Sequence, residues 1–434
     1  MDKFVIRGGN PLLGTIRVSG AKNSALPCMA AAILTEDEVI LENIPQVHDI
    51  LTERKLLVSM GANVELGYGR AQHRTTINCR TLDPVAPYEI VKTMRASSLV
   101  LGPLVARTGR ARVAMPGGCA IGGRPIDLHI KGLETMGATI AYEHGYIEAR
   151  ADRLKGAHIN FDKITVTGTE DLLMAAVLAE GETVMENCAR EPEVTDVAAL
   201  LTAMGAKIEG AGTSTIRVQG VDKLHGVRHR VNPDRIEAGT FLIAGAITGG
   251  DLCVASCNPA HLGAIIAKLE ECGVRVDPVG KDTLRVRSEG NLKAADVSTE
   301  EYPGFPTDMQ AQYMALATQV DGTSIVTENI FENRFMHVQE LVRMGANIKV
   351  DGRTATVRGK SPLSAAAVMC SDLRASASLV LAALVADGES ILDRVYHMDR
   401  GYEHIEEKLR SVGAQIRRMG NVFSDRREPA GAAV

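Results

Sequence analysis

At 434 residues the chain exceeds the roughly 250–300 residues that one hydrophobic core sustains, so two domains are expected. A net charge of −5, 3% aromatic residues and no tryptophan argue against a basic nucleic-acid face and against an aromatic platform for single strands. Eight cysteines lack the spacing of a disulfide scaffold, Met1-Asp2-Lys3-Phe4 leads into polar sequence, and no apolar run reaches the roughly 20 residues needed to span a bilayer. A cytoplasmic, reducing setting follows, with neither nucleic acid nor membrane as partner.

In chain order, residues 1–19 precede the first helical run and hold strand-like Thr15-Ile16-Arg17-Val18, placed here with the chain's last unit. Six Ala-rich runs follow, at 29–34, 97–106, 172–179, 239–247, 310–317 and 376–385. They are apolar nearly all round, which marks helices buried on every side. After each come a turn residue, such as Gly181, Gly250, Gly322 or Gly388, and a short β-branched strand. A loop, a second helix and a strand of alternating polarity complete the unit. The second helix ends each time on variations of Leu-x-x-Met-Gly-Ala-x-Ile, centred on Gly61, Gly137, Gly205, Gly273, Gly345 and Gly413. A recurrence at roughly 70 residues means six copies of one supersecondary unit.

The expected class is therefore α/β, with two inside-out domains of three helix-strand units each, helices inside and sheets outside. The first domain spans 20–232, the second 1–19 plus 233–423, and the charged, small-residue tail 424–434 is expected to be disordered.

Each buried run has a charged residue at or just before its start: Lys22, Arg95, Asp171, Arg235, Asp308 and Arg374. All six are expected at one end of their domain, where helix N-termini favour anions. A cap or a surface ion pair explains any one of them alone. The loop 116–125, Pro-Gly-Gly-Cys-Ala-Ile-Gly-Gly-Arg-Pro, sets four glycines around Cys119 and reads as a segment that opens and closes. Neighbouring cations would lower the thiol's pKa toward neutrality, although a flexible turn with an incidental cysteine fits too. Asp308 in Phe305-Pro306-Thr307-Asp308-Met309 is either a cap or a carboxylate that nearby cations hold ionised, a candidate base. Cys253 and Cys257 lack a second Cys or His pair at ligand spacing, so no metal is expected.

Several stretches together resemble the enolpyruvyl transferase family, and within it the UDP-N-acetylglucosamine 1-carboxyvinyltransferases. They are Ser19-Gly20-Ala21-Lys22-Asn23-Ser24-Ala25-Leu26-Pro27, the Cys119 loop, 305–312, Glu332-Asn333-Arg334-Phe335-Met336-His337 and Asp372-Leu373-Arg374-Ala375-Ser376. The likeness runs from Met1 to about Gly420, with the tail and the polar stretch 71–81 as additions. It implies transfer of the enolpyruvyl group of phosphoenolpyruvate to the 3′-hydroxyl of UDP-N-acetylglucosamine with release of phosphate, without a cofactor, as the first committed step of peptidoglycan precursor synthesis.

The resemblance also implies roles. Cys119 is the proton donor and the residue that fosfomycin modifies covalently, Asp308 the base, Lys22 a catalytic cation, and Asn23 helps hold the tetrahedral adduct. Lys22, Asn23, Arg124, Arg334, Arg374 and Arg400 bind phosphoenolpyruvate. Arg95, Arg124, Pro125, Ile126, Asp127, Leu128, Lys163, Ile164, Thr165, Val166, Asp308 and Ile330 bind the sugar nucleotide. Glu191, Glu193, Asp234 and Arg235 bridge domains and loop, and His129 steadies the loop. Thr167 departs from the glycine expected in some members, which bears on the diphosphate contacts. The related enzyme acting on shikimate 3-phosphate lacks such a cysteine loop, an RNA-end enzyme would want a basic face, and a silent paralogue would have lost Cys119, Asp308 or Lys22.

Overall fold

The computed structural model describes residues 2–67, 73–115 and 126–420. The recurring glycine has a local cause. It follows the helices His48–Ser59, Asp127–Thr135, Pro192–Ala203, Gly263–Glu271, Val338–Arg343 and Ile405–Ser411, and all six copies sit at positive φ, between 84° and 105°. The amide after each glycine bonds back to the carbonyl of the motif's leucine, as Ala62 N to Leu57 O at 3.0 Å and Ala414 N to Leu409 O at 3.1 Å. This is a Schellman C-cap, in which a left-handed residue lets the chain reverse and satisfies a terminal carbonyl. The motif leucine is buried against the core in every copy.

The buried helices are Lys22–Ala31, Val166–Ala176, Arg235–Ile247, Gln310–Ala317 and Leu373–Ala383, with the 3₁₀ turn Arg95–Val100 running into Leu101–Thr108. Several begin residues ahead of the apolar runs, and in three of them a polar residue just before the helix, Thr165, Asp234 or Asp372, caps it. Asp171 corrects the expectation for its unit. Thr165 caps that helix by accepting from Gly168 N, so Asp171 falls in its interior. There it accepts the Gly102 N–H at 2.8 Å, and burial pushes its carboxyl well above the usual range.

Six four-stranded sheets wrap these helices. In each, one strand runs parallel to the strand after the buried helix, and the remaining two pair antiparallel, as His158–Asn160, Glu182–Glu186, Thr215–Gln219 and Lys207–Glu209 do. Arg74–Asn78 is the regular third strand of the first unit, so the polar stretch 71–81 is not wholly an addition. Its register supplies that unit's alternating buried face, including Thr75 and Ile77.

The N-terminus also corrects its expectation. Lys3–Arg7 completes the last unit, between Glu389–Asp393 and Gln415–Met419. Leu13–Arg17 instead pairs parallel with Asp251–Ala255 in the fourth unit. The turn between the two short strands carries the chain from one sheet to the next, so one segment serves both.

Two hydrophobic clusters result. One draws on residues 25–231, the other on 4–18 and 236–416. The two chain crossings between them lie side by side, Ala21 N bonding Asn232 O at 2.7 Å and Asp234 N bonding Ser19 O at 2.9 Å. Gly20 is required there, since a Cβ would fall 1.6 Å from Asn43 O. Asp196 anchors the second crossing to the helix Pro192–Ala203, accepting from Asn232 N and contacting His229 Nε2, both at 2.9 Å.

Candidate active site

Charged side chains collect at the N-terminal ends of the buried helices, where the two domains meet. Lys22 and Arg235 are the first residues of their helices, Arg374 the second, and Asp308 stands in the 3₁₀ turn Thr307–Met309 before Gln310–Ala317. Asp234 and Asp372 cap two of these helices by accepting paired backbone N–H groups.

Asp308 is the centre of one cluster. Its Oδ1 accepts from Arg334 Nη2 at 2.8 Å, and its Oδ2 from Arg374 Nε at 3.1 Å and Nη2 at 2.8 Å. Burial alone would push this carboxyl up, but the Arg374 and Arg334 guanidiniums override it and hold it well below the usual carboxylate range. Both arginines are buried, and the Nη1 atom of each has no partner among the described residues. Buried donors left open are costly unless a ligand fills them. The turn that holds Asp308 is fixed by Glu328, which is 1% exposed and accepts from Thr299, Thr307, Ile330 N and Phe331 N. Ile330 is thereby seated beside the cluster's own turn.

Asp49 is the centre of the second cluster. It accepts from Lys22 Nζ at 3.0 Å and from Arg400 Nε at 3.0 Å, so it joins cations from both domains. Burial opposes its ionisation, and Lys22 and Arg400 together outweigh burial and lower its pKa. Glu53, one helical turn along, is 1% exposed, both its oxygens lack a partner among the described residues, and burial and Asp49 push its carboxyl up to about 8. The clusters are neighbours through the fold, because the 3₁₀ turn Val395–Arg400 packs on the helix Leu373–Ala383.

Two further contacts cross between the domains. Arg235 grips Glu193 through Nε at 3.0 Å and Nη2 at 3.3 Å, and Tyr302 N donates to Glu191 Oε1 at 3.3 Å. Arg235 also acts electrostatically on Asp308's side of the interface.

Apart from Asp308 and Ile330, which belong to the second domain, the described sugar-nucleotide candidates lie on the first domain. Ile126, Asp127 and Leu128 open the helix Asp127–Thr135, Lys163 to Val166 lead into the helix Val166–Ala176, and Arg95 starts its 3₁₀ turn. His129, buried between these segments, feels both Arg95 and Asp127, and burial lowers it to about 4. Thr167 is an ordinary second helical residue. Cys119, Arg124 and Pro125 lie outside the described residues, as do the tail residues 424–434. Asn23 is the second residue of its helix, half-buried beside Lys22.

Asp49 and Glu328 carry no motif and were missed in the sequence. Their only signal is an acid within a helix's first turn and an acid after a strand. Cavities of about 530 and 650 Å³ lie at the opposite, C-terminal ends of the buried helices and share no residue with these clusters. Among the described residues Cys28, Asp196 and His229 are spaced as metal ligands would be, yet both Asp196 oxygens already serve the protein's own groups.

The EPSP synthase (3-phosphoshikimate 1-carboxyvinyltransferase) family matches residues 6–409. The UDP-N-acetylglucosamine 1-carboxyvinyltransferase of Acidobacterium capsulatum is 86% identical over 431 residues, 99% of each chain, and that of Koribacter versatilis 75% identical over 430 residues, again 99% of each. Among solved structures, the enolpyruvyl transferase NikO from Streptomyces tendae superposes with a TM-score of 0.86 at 27% identity, over 96% of this chain and 99% of that one. An EPSP synthase from Acinetobacter baumannii, at 20% identity and a TM-score of 0.73 over 97% and 100% of the two chains, shares the fold.

Proposed function

The chain belongs to the EPSP synthase family of enolpyruvyl transferases, with the UDP-N-acetylglucosamine 1-carboxyvinyltransferases as its high-identity relatives, and from that we propose how its residues serve the reaction. The enzyme transfers the enolpyruvyl group of phosphoenolpyruvate to the 3′-hydroxyl of UDP-N-acetylglucosamine and releases phosphate, by addition and then elimination, in peptidoglycan precursor synthesis.

One observation carries the assignment of roles: two buried guanidiniums flank Asp308 with an open donor each. A substrate bearing a phosphate and a carboxylate suits them, because charge-assisted contacts to oxyanions are geometrically specific and need no metal. Arg334 and Arg374 receive one anionic group, and Lys22, Arg124 and Arg400 the other.

Asp308 is the base for the sugar hydroxyl. A carboxylate so strongly held by cations is a weak base while the site is empty. Once the substrate's anions share the two guanidiniums, each contact to Asp308 weakens and its proton affinity rises. Cys119 delivers the proton to the methylene carbon, and Asn23 holds the tetrahedral adduct. Arg95, Arg124 to Leu128, Lys163 to Val166, Asp308 and Ile330 line the sugar-nucleotide side. Glu191, Glu193 and Arg235 hold the domains in register, and the boundaries 19/20 and 232/233 divide them. Seven described cysteines are free and no described helix is long and apolar enough to cross a membrane, in keeping with work in the cytoplasm.

Phosphate release from phosphoenolpyruvate, measured with and without UDP-N-acetylglucosamine, tests the reading. Release should require the sugar nucleotide, and none with both substrates present would overturn it. Fosfomycin should inactivate the enzyme and add its mass to the Cys119 peptide, and an unmodified peptide with full activity would remove Cys119 from its role.

A further inference from the structure

The two cationic clusters are not equally ready for a ligand. Around Asp308, an incoming anion meets an Nη1 donor on each of Arg334 and Arg374 that has no partner among the described residues. Around Asp49, both cations are already engaged by one carboxylate, Oδ2 with Lys22 Nζ and Oδ1 with Arg400 Nε. A carboxylate that puts one oxygen on a cation from each domain makes the same pair of contacts that a phosphate or carboxylate of a substrate would make.

The surroundings of Asp49 suit an exchange. It is 3% exposed, and among the described residues the charged groups acting to keep it ionised are Lys22 and Arg400. Glu53 behind it adds a second acid and no cation. Asp49 also stands in the first turn of His48–Ser59, whose cap residue Val47 provides no side-chain acceptor. The positive end of that helix remains to support the carboxylate when the cations leave it.

We infer that Asp49 is a resident stand-in for the substrate's oxyanion, holding Lys22 and Arg400 together across the two domains in the ligand-free protein and yielding them to the phosphate or carboxylate of the incoming substrate. The inference rests on the transferase reading for which substrate is meant, but not for whether an oxyanion competes with Asp49. Asp49 is then a positioning residue, which acts through Lys22 and Arg400. It keeps two like charges close while the site is empty, at the expense of affinity for the ligand.

The test compares the full-length parent with Asp49→Asn, an isosteric change that keeps the shape and removes the charge. Titration calorimetry with inorganic phosphate, in a phosphate-free buffer at fixed ionic strength, should give about tenfold tighter binding for the variant. The KM for phosphoenolpyruvate should fall as well, with kcat moving less than KM. A purely structural role for Asp49 predicts the reverse, and phosphate affinity unchanged or weaker in the variant would overturn the inference. Should the variant not fold, a crystal structure of the parent grown with phosphate decides the matter. Lys22 Nζ or the Arg400 guanidinium should then contact phosphate beyond hydrogen-bonding distance of Asp49, and an intact Asp49 trio with phosphate bound would overturn it. Turnover by the parent in the same preparation reports on the transferase reading separately: a parent that binds phosphate but never releases it from phosphoenolpyruvate fails that reading and leaves the competition measurable.

Discussion

Asp308 and Asp49 are both carboxylates gripped by two cations where the domains meet, yet they depend on different parts of the chain. Asp308, Arg334 and Arg374 all belong to the second hydrophobic cluster's part of the fold, so that trio persists whatever the domains do relative to each other. Asp49 takes Lys22 from its own side and Arg400 from the other, so it is complete only while the domains touch. One cluster is complete within a single domain, and the other only when both domains contribute.

Asp308→Ala should have the largest effect. Two buried guanidiniums lose their counter-charge, which costs up to about 3–5 kcal/mol, and loss of the base should lower kcat by about 10²–10⁴. Urea unfolding and phosphate release measure the two, and turnover near the parent rate would break the assignment. Arg374→Lys keeps the charge but gives up the paired Nε and Nη2 contacts, so the KM for phosphoenolpyruvate should rise about 10- to 100-fold. An unchanged KM would show that this guanidinium does not meet the substrate.

Glu53→Gln sharpens the contrast through pH. An acid raised to about 8 in the fold, against about 4.3 when unfolded, binds its proton more tightly in the folded state, so it lowers stability as pH rises between those values. The variant's melting temperature should therefore exceed the parent's increasingly from pH 5 to pH 8, and equal curves would show that Glu53 is ionised at no cost. Asp49 and Asp308 have the opposite sign: their lowered values contribute stability above about pH 4 that is lost as pH falls further. The smallest effect on stability is expected for Arg400→Gln, because that side chain is 38% exposed and Lys22 still faces Asp49 once it is gone. A loss as large as that of Asp308→Ala would erase the distinction between the clusters.

Much of the architecture was legible because its causes are local. The Leu-to-Ala spacing of the repeat is the length of a Schellman cap, and the Ala-rich runs have no polar stripe because sheets cover the helices all round. Ambiguous local cues point the wrong way in two places. Asp171 looked like a helix start until Thr165 was seen to cap that helix six residues earlier, and Thr15-Ile16-Arg17-Val18 was a sound strand with the wrong partner. A strand's alternation states which face is buried and says nothing about which sheet it joins.

In the site, Lys22, Arg235, Asp308 and Arg374 were marked by their common slot, since being charged at the head of an apolar helix is visible in a one-dimensional pattern. Asp49 and Glu328 were not, for their importance lies in acceptors meeting donors from distant segments, as when Arg400 reaches Asp49 across 351 positions of chain. The six repeats, their caps and the buried character of their first helices are written in local sequence, because hydrogen bonds within a turn and the period of apolar residues act over a few neighbours. Which cation meets which carboxylate is set by the folded arrangement, because Coulomb forces in a buried interface follow distance in space and take no account of distance along the chain.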